Sequence, residues 1–147
     1  MESPLFEDFS EGQRFMTRGR VVTGTDIDLF ATLTGAINPL FLSDEFAASR
    51  GFKSRIAPGL LTASLMVGTA YQLGLFDNIL ALASVERLQF LNPVTTGDAL
   101  TTEIIVQSKK ESKRPDRGFV TLKSICRNQR AETVLEGELT LVYKKKQ

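Results

Sequence analysis

The sequence predicts an α+β domain in which an antiparallel sheet wraps around one central helix. Helical patterns are confined to the first half of the 147-residue chain and strand patterns to the second half. A long segment between the two halves is apolar on almost every side. Because helices and antiparallel strands are segregated along the chain, the class is α+β rather than α/β. The length fits one ordinary domain, so we treat residues 1–147 as a single unit.

The first predicted elements are a strand and a helix. Residues Arg14–Thr23 are rich in β-branched and aromatic side chains, which favours a strand. A helix is then expected to begin at Thr25, with Asp28 completing an approximate capping box. Gly35 is expected to end this helix.

A loop and a shorter helix follow. Residues Gly35–Phe41 are predicted to form a loop, because the proline after Asn38 biases that residue away from helical angles. The short helix is expected to start at Ser43 or Asp44 and to run through Ala48.

The segment Ile56–Tyr71 predicts the central helix. Pro58 suits a first helical position, and the residues after it are apolar almost all round. A helix without a polar face is normally buried. Small residues along it allow a sheet to come close, and these are Gly59, Ala63, Ser64, Gly68 and Ala70.

The second half predicts four antiparallel strands separated by turn residues. In the last of them, leucines alternate with polar residues, as expected for a sheet with one buried face. The predicted strands are Ile79–Phe90, Ala99–Ser108, Gly118–Arg127 and Thr133–Tyr143.

Composition excludes several kinds of active site. The chain contains no histidine, which excludes a Ser-His-Asp triad, a Cys-His pair and a histidine-based zinc site. Its single cysteine, Cys126, excludes an internal disulfide and a cysteine-rich metal site, and fits a reducing compartment. We therefore expect no metal and no cofactor.

Charge and hydropathy exclude further classes of partner. The net charge is +1, and no basic stripe with interleaved aromatic residues is present, so we expect no nucleic-acid partner. The longest apolar stretches are shorter than the ~18 residues that a membrane helix needs. The amino terminus lacks the basic start and apolar run of a signal peptide. We expect a cytoplasmic protein without a membrane segment.

Most single polar groups have a structural interpretation. Ser64 lies on the apolar helix, so its hydroxyl needs either a backbone carbonyl or a ligand; we favour the carbonyl and keep the ligand open. Cys126 is expected to be a buried, inert thiol. The acidic residues at the helix starts are best explained by the helix dipole, and these are Asp26, Asp28, Asp44 and Glu45. The basic run 109–117 is interrupted by acids and is expected to be a solvated hairpin tip.

One constellation indicates a binding site. Asn38 offers side-chain amide groups beside a rigid turn. Gly59 starts the central helix, where a bare N–H group can approach an oxygen closely and the helix dipole favours developing negative charge. These groups are suited to holding a carbonyl.

The residues around this constellation resemble those of MaoC-like (R)-specific enoyl-CoA hydratases. The resemblance is carried by residues 33–41 (LTGAINPLF), 56–65 (IAPGLLTASL) and 86–98 (ERLQFLNPVTTGD). It implies a hotdog fold and a dimer with an acyl-thioester tunnel near the subunit interface. It also implies a place in fatty-acid or polyketide metabolism, with an acyl-CoA or acyl-carrier-protein thioester as ligand.

The catalytic residues of that family do not carry over. Its motif is Asp-x-Asn-Pro-x-His, in which the Asp and His activate a water molecule. Asn38 and Pro39 match this motif, but Ala36 stands at the Asp position and Phe41 at the His position. Gly59, whose amide serves the thioester carbonyl in the family, is retained.

The supporting positions also differ. Ser43 stands where the family often has an Asp, and Pro58 where it commonly has a His. General acid–base catalysis contributes about 10²–10⁴-fold for each positioned group, so hydratase turnover is expected to be close to absent. The expected ligand-binding residues are Ala36, Asn38, Pro39, Phe41, Gly59, Leu60 and Ser64.

Two hypotheses follow for function. In the first, the chain binds a thioester without hydrating it, either as the dyad-less partner of an active homologue or as a repurposed cyclase or isomerase. In the second, it is an active hydratase or dehydratase, a lyase, that uses displaced acids. Those acids are Asp26, Asp28, Asp44 and Glu45. A homodimer and a heterodimer with a MaoC-like homologue both remain open.

Overall fold

The structure is a computed structural model that describes residues 2–147. A 3₁₀ turn at Phe6–Asp8 precedes the regular elements. In chain order these are β1 (Arg14–Met16), β2 (Arg20–Val21), α1 (Gly24–Thr34), α2 (Pro39–Leu42), α3 (Asp44–Ser49), α4 (Gly59–Gln72), β3 (Ile79–Phe90), β4 (Ala99–Glu111), β5 (Arg117–Arg127) and β6 (Thr133–Lys144).

The strands form an antiparallel sheet in the order β1-β4-β5-β6-β3, with β2 also paired to β4. Two hairpins, β4–β5 and β5–β6, make its centre. β3 follows α4 in the chain but pairs with β6 at the edge of the sheet. The predicted α+β class is confirmed.

One face of the sheet carries the core. Every second residue of β4, β5 and β6 is buried over most of their length, as an amphipathic sheet requires. The predicted alternation in β6 is confirmed, since Leu135, Leu139 and Leu141 are buried. Cys126 is also buried, and burial raises the pKa of its thiol, as expected for an inert cysteine.

The central helix α4 packs one side against this face and leaves the other side open. Leu61 and Met66 join the core, whereas Leu60 is 63% exposed and Tyr71 51% exposed. The sequence predicts a buried helix wrapped by a sheet, but only one side of α4 is covered. A sheet has only one inner face to offer, and the edge strand β3 is itself largely exposed, so the far side of α4 is uncovered.

The predicted first strand is interrupted. The Thr17 hydroxyl accepts a hydrogen bond from the Thr102 N–H at 2.9 Å, and the Thr17 N–H donates to the Thr102 carbonyl at 3.0 Å. The Thr17 hydroxyl therefore accepts the hydrogen bond that a backbone carbonyl would accept in a regular pair of strands. The segment Arg14–Thr23 divides into β1 and β2 as a result.

Helix α1 begins earlier than predicted. Thr23, not Thr25, is the N-cap: its hydroxyl accepts from the Asp26 N–H at 3.2 Å, and Asp26 accepts from the Thr23 N–H at 2.9 Å. Arg20 binds the same carboxylate and so adds to the stability of this capping box. The predicted end is confirmed, because Gly35 adopts φ 77° at the C-cap.

The predicted loop contains a short helix, α2. The Asn38 side chain accepts from the Leu40 N–H at 3.0 Å and caps it, and Pro39 occupies its first turn. Proline is favoured there because its fixed φ is already helical and no donor is lost. Helix α3 starts after Ser43, as predicted.

The remaining boundaries agree closely with the sequence. β4 extends past its predicted end because its pairing with β5 continues to Glu111, and β5 begins one residue early because Arg117 pairs with Lys144 of β6. Pro58 is the N-cap of α4 rather than its first residue, which is Gly59. Within residues 2–147, no helix is long and apolar enough to cross a membrane.

Candidate functional site

The start of α4 presents free backbone donors. Gly59 is the first helical residue, and its N-cap, Pro58, has no side chain that can cap the helix. Among residues 2–147, no backbone or side-chain group accepts a hydrogen bond from the Gly59 N–H. Unsatisfied N–H groups and the positive end of the helix dipole attract a partly negative oxygen.

A cavity of about 250 Å³ opens beside this helix start. Most of its lining is apolar, and it combines the first turn of α4 with the chain segment that follows β3. The lining residues are Ala57, Gly59, Thr62, Phe90, Leu91, Asn92, Pro93, Val94 and Val134.

Phe90 packs directly against Gly59. A Cβ atom placed on Gly59 would lie 2.8 Å from a ring carbon of Phe90, which is closer than real Cβ contacts. The bare Cα of glycine therefore lets the aromatic ring cover one side of the helix start. This contact gives residue 59 a second reason to be glycine, in addition to the approach of a ligand.

The loop with the predicted ligand residues lies next to the chain that leads into α4. The Ile56 N–H donates to the Leu40 carbonyl at 3.1 Å, and the Ala57 N–H donates to Val94 at 2.7 Å. These bonds place α2 on one side of residues 55–57 and the cavity-lining segment on the other. The loop thus contacts the chain three residues before Gly59, but Ala36, Asn38, Pro39 and Phe41 do not line the cavity at Gly59.

The loop offers few groups for acid–base chemistry. Ala36 and Pro39 have no titratable atom, and the Asn38 side chain is engaged in capping α2. Phe41 is partly buried against the core cluster that contains Leu61. Within residues 2–147, no group of acidic or cysteine side chains is arranged to hold a metal ion.

Leu60 and Ser64 face a different cavity from Gly59. They line an apolar groove of about 600 Å³ between the open side of α4 and β3, together with Leu82 and Val85. The Ser64 hydroxyl donates to the Leu60 carbonyl at 2.8 Å, which is the structural role that the sequence favoured. The predicted residues are thus divided among the loop, the helix start and this groove.

Three of the four helix-start acids have partners. Arg20 binds Asp26 through both carboxylate oxygens, at 2.6 and 2.8 Å, and holds the pKa of Asp26 below its usual range. Asp28 pairs with Arg55, and Asp44 accepts the Arg55 N–H at 2.9 Å. Glu45 has no such contact within residues 2–147.

Sequence reasoning missed Arg55 and Phe90 as parts of this region. The Arg55 guanidinium donates to the Phe41 carbonyl at 2.6 Å and pairs with Asp28. Phe41 is 14 positions and Asp28 is 27 positions from Arg55 in the sequence, so no local pattern indicates these contacts. Phe90 lay within a recognised segment, but its packing on Gly59 depends on how β3 returns to the helix start.

Comparison with known proteins identifies the family. Residues 8–128 match the family described as "MaoC like domain". The chain is 32% identical over 140 residues to an (R)-specific enoyl-CoA hydratase of Rhodospirillum rubrum, covering 93% of this chain and 90% of that protein. The chain belongs to the MaoC-like family. The resemblance that the motifs carried is therefore confirmed.

Solved structures confirm the fold of this MaoC-like chain. The MaoC-like dehydratase of Rhodospirillum rubrum superposes with a TM-score of 0.87 at 31% identity, over 99% of each chain. A conserved hypothetical protein of Mycobacterium tuberculosis, described as a double hotdog fold, gives a TM-score of 0.86 at 22% identity, over 98% of this chain and 45% of that one. The predicted hotdog fold is confirmed.

Proposed function

We propose that this MaoC-like protein binds an acyl thioester, or a similar apolar carbonyl compound, without hydrating it. The observation that carries the proposal is the start of α4, where the Gly59 N–H has no hydrogen-bond acceptor among residues 2–147 and Gly59 lines a largely apolar cavity. The resemblance adds that this glycine amide serves the thioester carbonyl in the family.

The helix start is electrostatically suited to a carbonyl oxygen. The N–H groups of the first turn and the helix dipole both stabilise negative charge there. The apolar lining lowers the local dielectric, which strengthens such an interaction. We therefore place the thioester carbonyl at Gly59 and the apolar part of the ligand along the neighbouring surfaces.

The absence of hydration follows from the residues of the loop. Ala36 and Phe41 stand at the positions where the family motif has its Asp and His, and neither can accept or donate a proton. Phe41 also makes its surroundings apolar, which disfavours a nucleophilic water. Polarisation of the carbonyl then serves either a partner subunit that completes the chemistry or a reaction such as a cyclisation or isomerisation.

The assembly we propose is a dimer, with a second copy or with a MaoC-like homologue. β3 is an open sheet edge, and such edges readily pair with another strand. The groove between α4 and β3 exposes Leu60, Tyr71 and Leu82, which a monomer would leave in water. A partner that pairs along β3 would cover both surfaces.

The alternative is an active hydratase that uses a displaced acid. The ion pair of Asp26 argues against its acting as a base, because a carboxylate stabilised by a guanidinium is a weaker proton acceptor. Asp28 is engaged by the Arg55 guanidinium. Asp44 is engaged by the backbone N–H of Arg55. Glu45 remains the member of the set that such a mechanism would use first.

Hydration of crotonyl-CoA and of longer trans-2-enoyl-CoA substrates tests the proposal. We expect no measurable turnover by the wild type. The double variant Ala36→Asp plus Phe41→His should introduce weak activity, because Ser43 and Pro58 leave the supporting groups incomplete, and an acid–base pair displaced by ~1 Å can lose ~10²-fold in rate. Each single variant should stay near background, since the two groups act as a unit.

Binding must be measured beside turnover. Calorimetry with crotonyl-CoA should show binding by the wild type and by the double variant alike. Hydration by the wild type that is abolished by Glu45→Gln would establish the displaced-acid alternative. No binding of any acyl-CoA would contradict the proposed function itself.

A further inference from the structure

We propose that Arg55 is a positioning residue that holds the α2–α3 segment (residues 36–49) against the start of α4. The inference about the segment stands on the contacts of this chain. Its consequence for ligand affinity rests on the proposed function, because the segment is bonded to Arg55 and Ile56, which lead into the proposed carbonyl site at Gly59.

The α2–α3 segment is weakly anchored by apolar packing. α2 has no buried residue, and α3 buries Ala47 alone. Phe41 is partly buried against the core. Ile37 and Leu42 expose large apolar side chains instead of packing them. The segment therefore depends on polar contacts for its position more than the sheet does.

Those polar contacts converge on two adjacent residues. Some hydrogen bonds of residues 36–49 stay within the segment or reach its immediate neighbours, residues 34–35 and 50–52. Within the described chain, all the others go to Arg55 or Ile56. The Leu40 carbonyl accepts from the Ile56 N–H at 3.1 Å, and the Asp44 carboxylate accepts from the Arg55 N–H at 2.9 Å. The Phe41 carbonyl accepts from the Arg55 Nε at 2.6 Å.

The Arg55 side chain is mostly buried and bonded to two helices. It is only 16% exposed, and its guanidinium spans two elements by pairing with Asp28 of α1 while bonding Phe41 of α2. Gly24 makes room for it, since a Cβ there would lie 2.9 Å from a guanidinium nitrogen. Arginine can serve both acceptors at once because its donors form a planar fork, whereas a lysine ammonium is a single point charge.

The segment's position is linked to the site through the chain itself. Arg55 lies three residues before Pro58, in the segment of chain that leads into α4. The Arg55 carbonyl accepts from the Thr96 N–H at 3.2 Å, which fixes this backbone to the segment after β3. Arg55 thereby joins α1, α2 and the surroundings of Gly59.

Three variants separate the parts of this role. Arg55→Met keeps the length of the side chain but removes every side-chain donor. Arg55→Lys keeps the charge but not the fork. Asp28→Asn is the matched control, because it removes the ion pair and leaves the bond from Arg55 to the Phe41 carbonyl in place.

Hydrogen exchange at millisecond to second times is the first readout. The relevant amides are those of Phe41 and Ser43, which donate to Asn38 and Pro39 within α2. We expect their protection to fall about 10-fold in Arg55→Met, the size expected when a bond to a charged donor is lost. Arg55→Lys should fall between that variant and the wild type, and Asp28→Asn should resemble the wild type. Amides in the interior of α4 and in β5 should keep their protection in all variants.

Unchanged protection of Phe41 and Ser43 in Arg55→Met would overturn the proposal. An equal loss of protection in α4, β5 and the α2–α3 segment would also overturn it, because that result indicates a general structural role.

Affinity for crotonyl-CoA, measured by calorimetry, is the second readout. We expect Arg55→Met to raise Kd about 10-fold and Asp28→Asn to leave it within twofold. A wild type that binds no acyl-CoA would contradict the proposed function, while the exchange experiment would still decide the role of Arg55. Wild-type affinity in Arg55→Met despite lost protection would show that the segment does not shape the carbonyl site.

Discussion

At the scale of single residues, Gly59 meets two separate requirements. Its N–H stands at a helix start and has no acceptor within the described residues 2–147, and its bare Cα lies against the Phe90 ring. Any side chain at position 59 would push against Phe90, while only a residue with a backbone N–H can hold a carbonyl. The two requirements can be separated by substitution, because proline and alanine both add a Cβ but only proline removes the donor.

Substitution of Gly59 by proline and by alanine tests the carbonyl-holding role. We expect Gly59→Pro to weaken crotonyl-CoA binding by at least 10-fold more than Gly59→Ala, because the alanine variant retains the N–H. Both variants should fold, since helix starts tolerate proline and the Phe90 ring is half exposed. Calorimetry on folded protein gives the two affinities. Equal affinities for the two variants would exclude the N–H of residue 59 as the donor.

Asp26 couples the folded state to pH. Its carboxylate is held by Arg20 and by the Thr23 N–H, which keeps its pKa below the ordinary value of 3.8. A depressed pKa stabilises the folded state above the ordinary pKa, and the contribution is lost as the pH falls through the folded-state value. The stabilisation by Asp26 should therefore be complete at pH 7 and decrease in acid.

Thermal unfolding of Asp26→Asn at two pH values tests this coupling. The variant should melt below the wild type at pH 7, and the difference should narrow at pH 3, because Asp26 of the unfolded wild-type chain, with its ordinary pKa of 3.8, takes up protons there while the folded carboxylate stays ionised. Glu45→Gln is the control, because Glu45 lies in the first turn of α3 and forms no ion pair within residues 2–147, and it should show little difference at either pH. A wild-type advantage that stays constant from pH 7 to pH 3 would contradict the assignment.

At the scale of elements, β3 and α4 each pack against the rest of the molecule on one side only. β3 pairs with β6 and exposes its other edge, and α4 packs on the sheet and exposes Leu60 and Tyr71. The groove between them is apolar and includes Leu82. Two incomplete elements that border the same groove are the reason we place the partner subunit there.

Leu82→Glu tests this interface. A charge placed in the groove should convert the proposed dimer to a monomer, because an unpaired carboxylate is costly to bury. Leu33→Glu on α1 is the matched control: Leu33 is 85% exposed, lies outside the groove, and should leave the assembly unchanged. Light scattering at micromolar concentration measures the mass. A monomeric wild type would contradict the dimer, and a dimeric Leu82→Glu would exclude this surface.

At the scale of the whole molecule, the two ends of the core are joined by α4. One core cluster contains Ala70 near the end of the helix, and the other contains Leu61 and Met66 nearer its start. Both clusters include residues of β4, β5 and β6, so the helix and the three central strands share one apolar interior. Stability should therefore depend strongly on the inner face of β5 and little on the exposed face of α1.

Leu122→Ala measures that dependence. Leu122 is fully buried in β5, and its truncation should lower the free energy of unfolding by about 2–5 kcal/mol. Leu29→Ala on α1 is the control; its leucine is 65% exposed, and the change should stay within about 0.5 kcal/mol. Urea unfolding gives both values. Similar losses for the two variants would contradict this description of the core.

The sequence by itself determined the class, the order and the approximate limits of the elements. Local chemistry is sufficient for these: Gly35 can end a helix because it adopts a left-handed conformation, and alternation in β6 assigns its faces without knowledge of its neighbours. The start of α4 at Pro58-Gly59 and the capping role of Ser43 are equally local. The motif segments also identified the family, because their order and spacing are readable along the chain.

Only the tertiary structure decided which residues meet. Arg20 binds Asp26, a residue of the capping box at Thr23. Ser64 and Gly59 lie on one helix but face different cavities, since the sheet covers a single side of it. Arg55 bonds Phe41, 14 positions away, and Phe90 covers Gly59. The path of the chain brings these residues together, and no local pattern predicts it. Contacts between distant residues depend on the packing of whole elements, and the sequence encodes that packing only collectively.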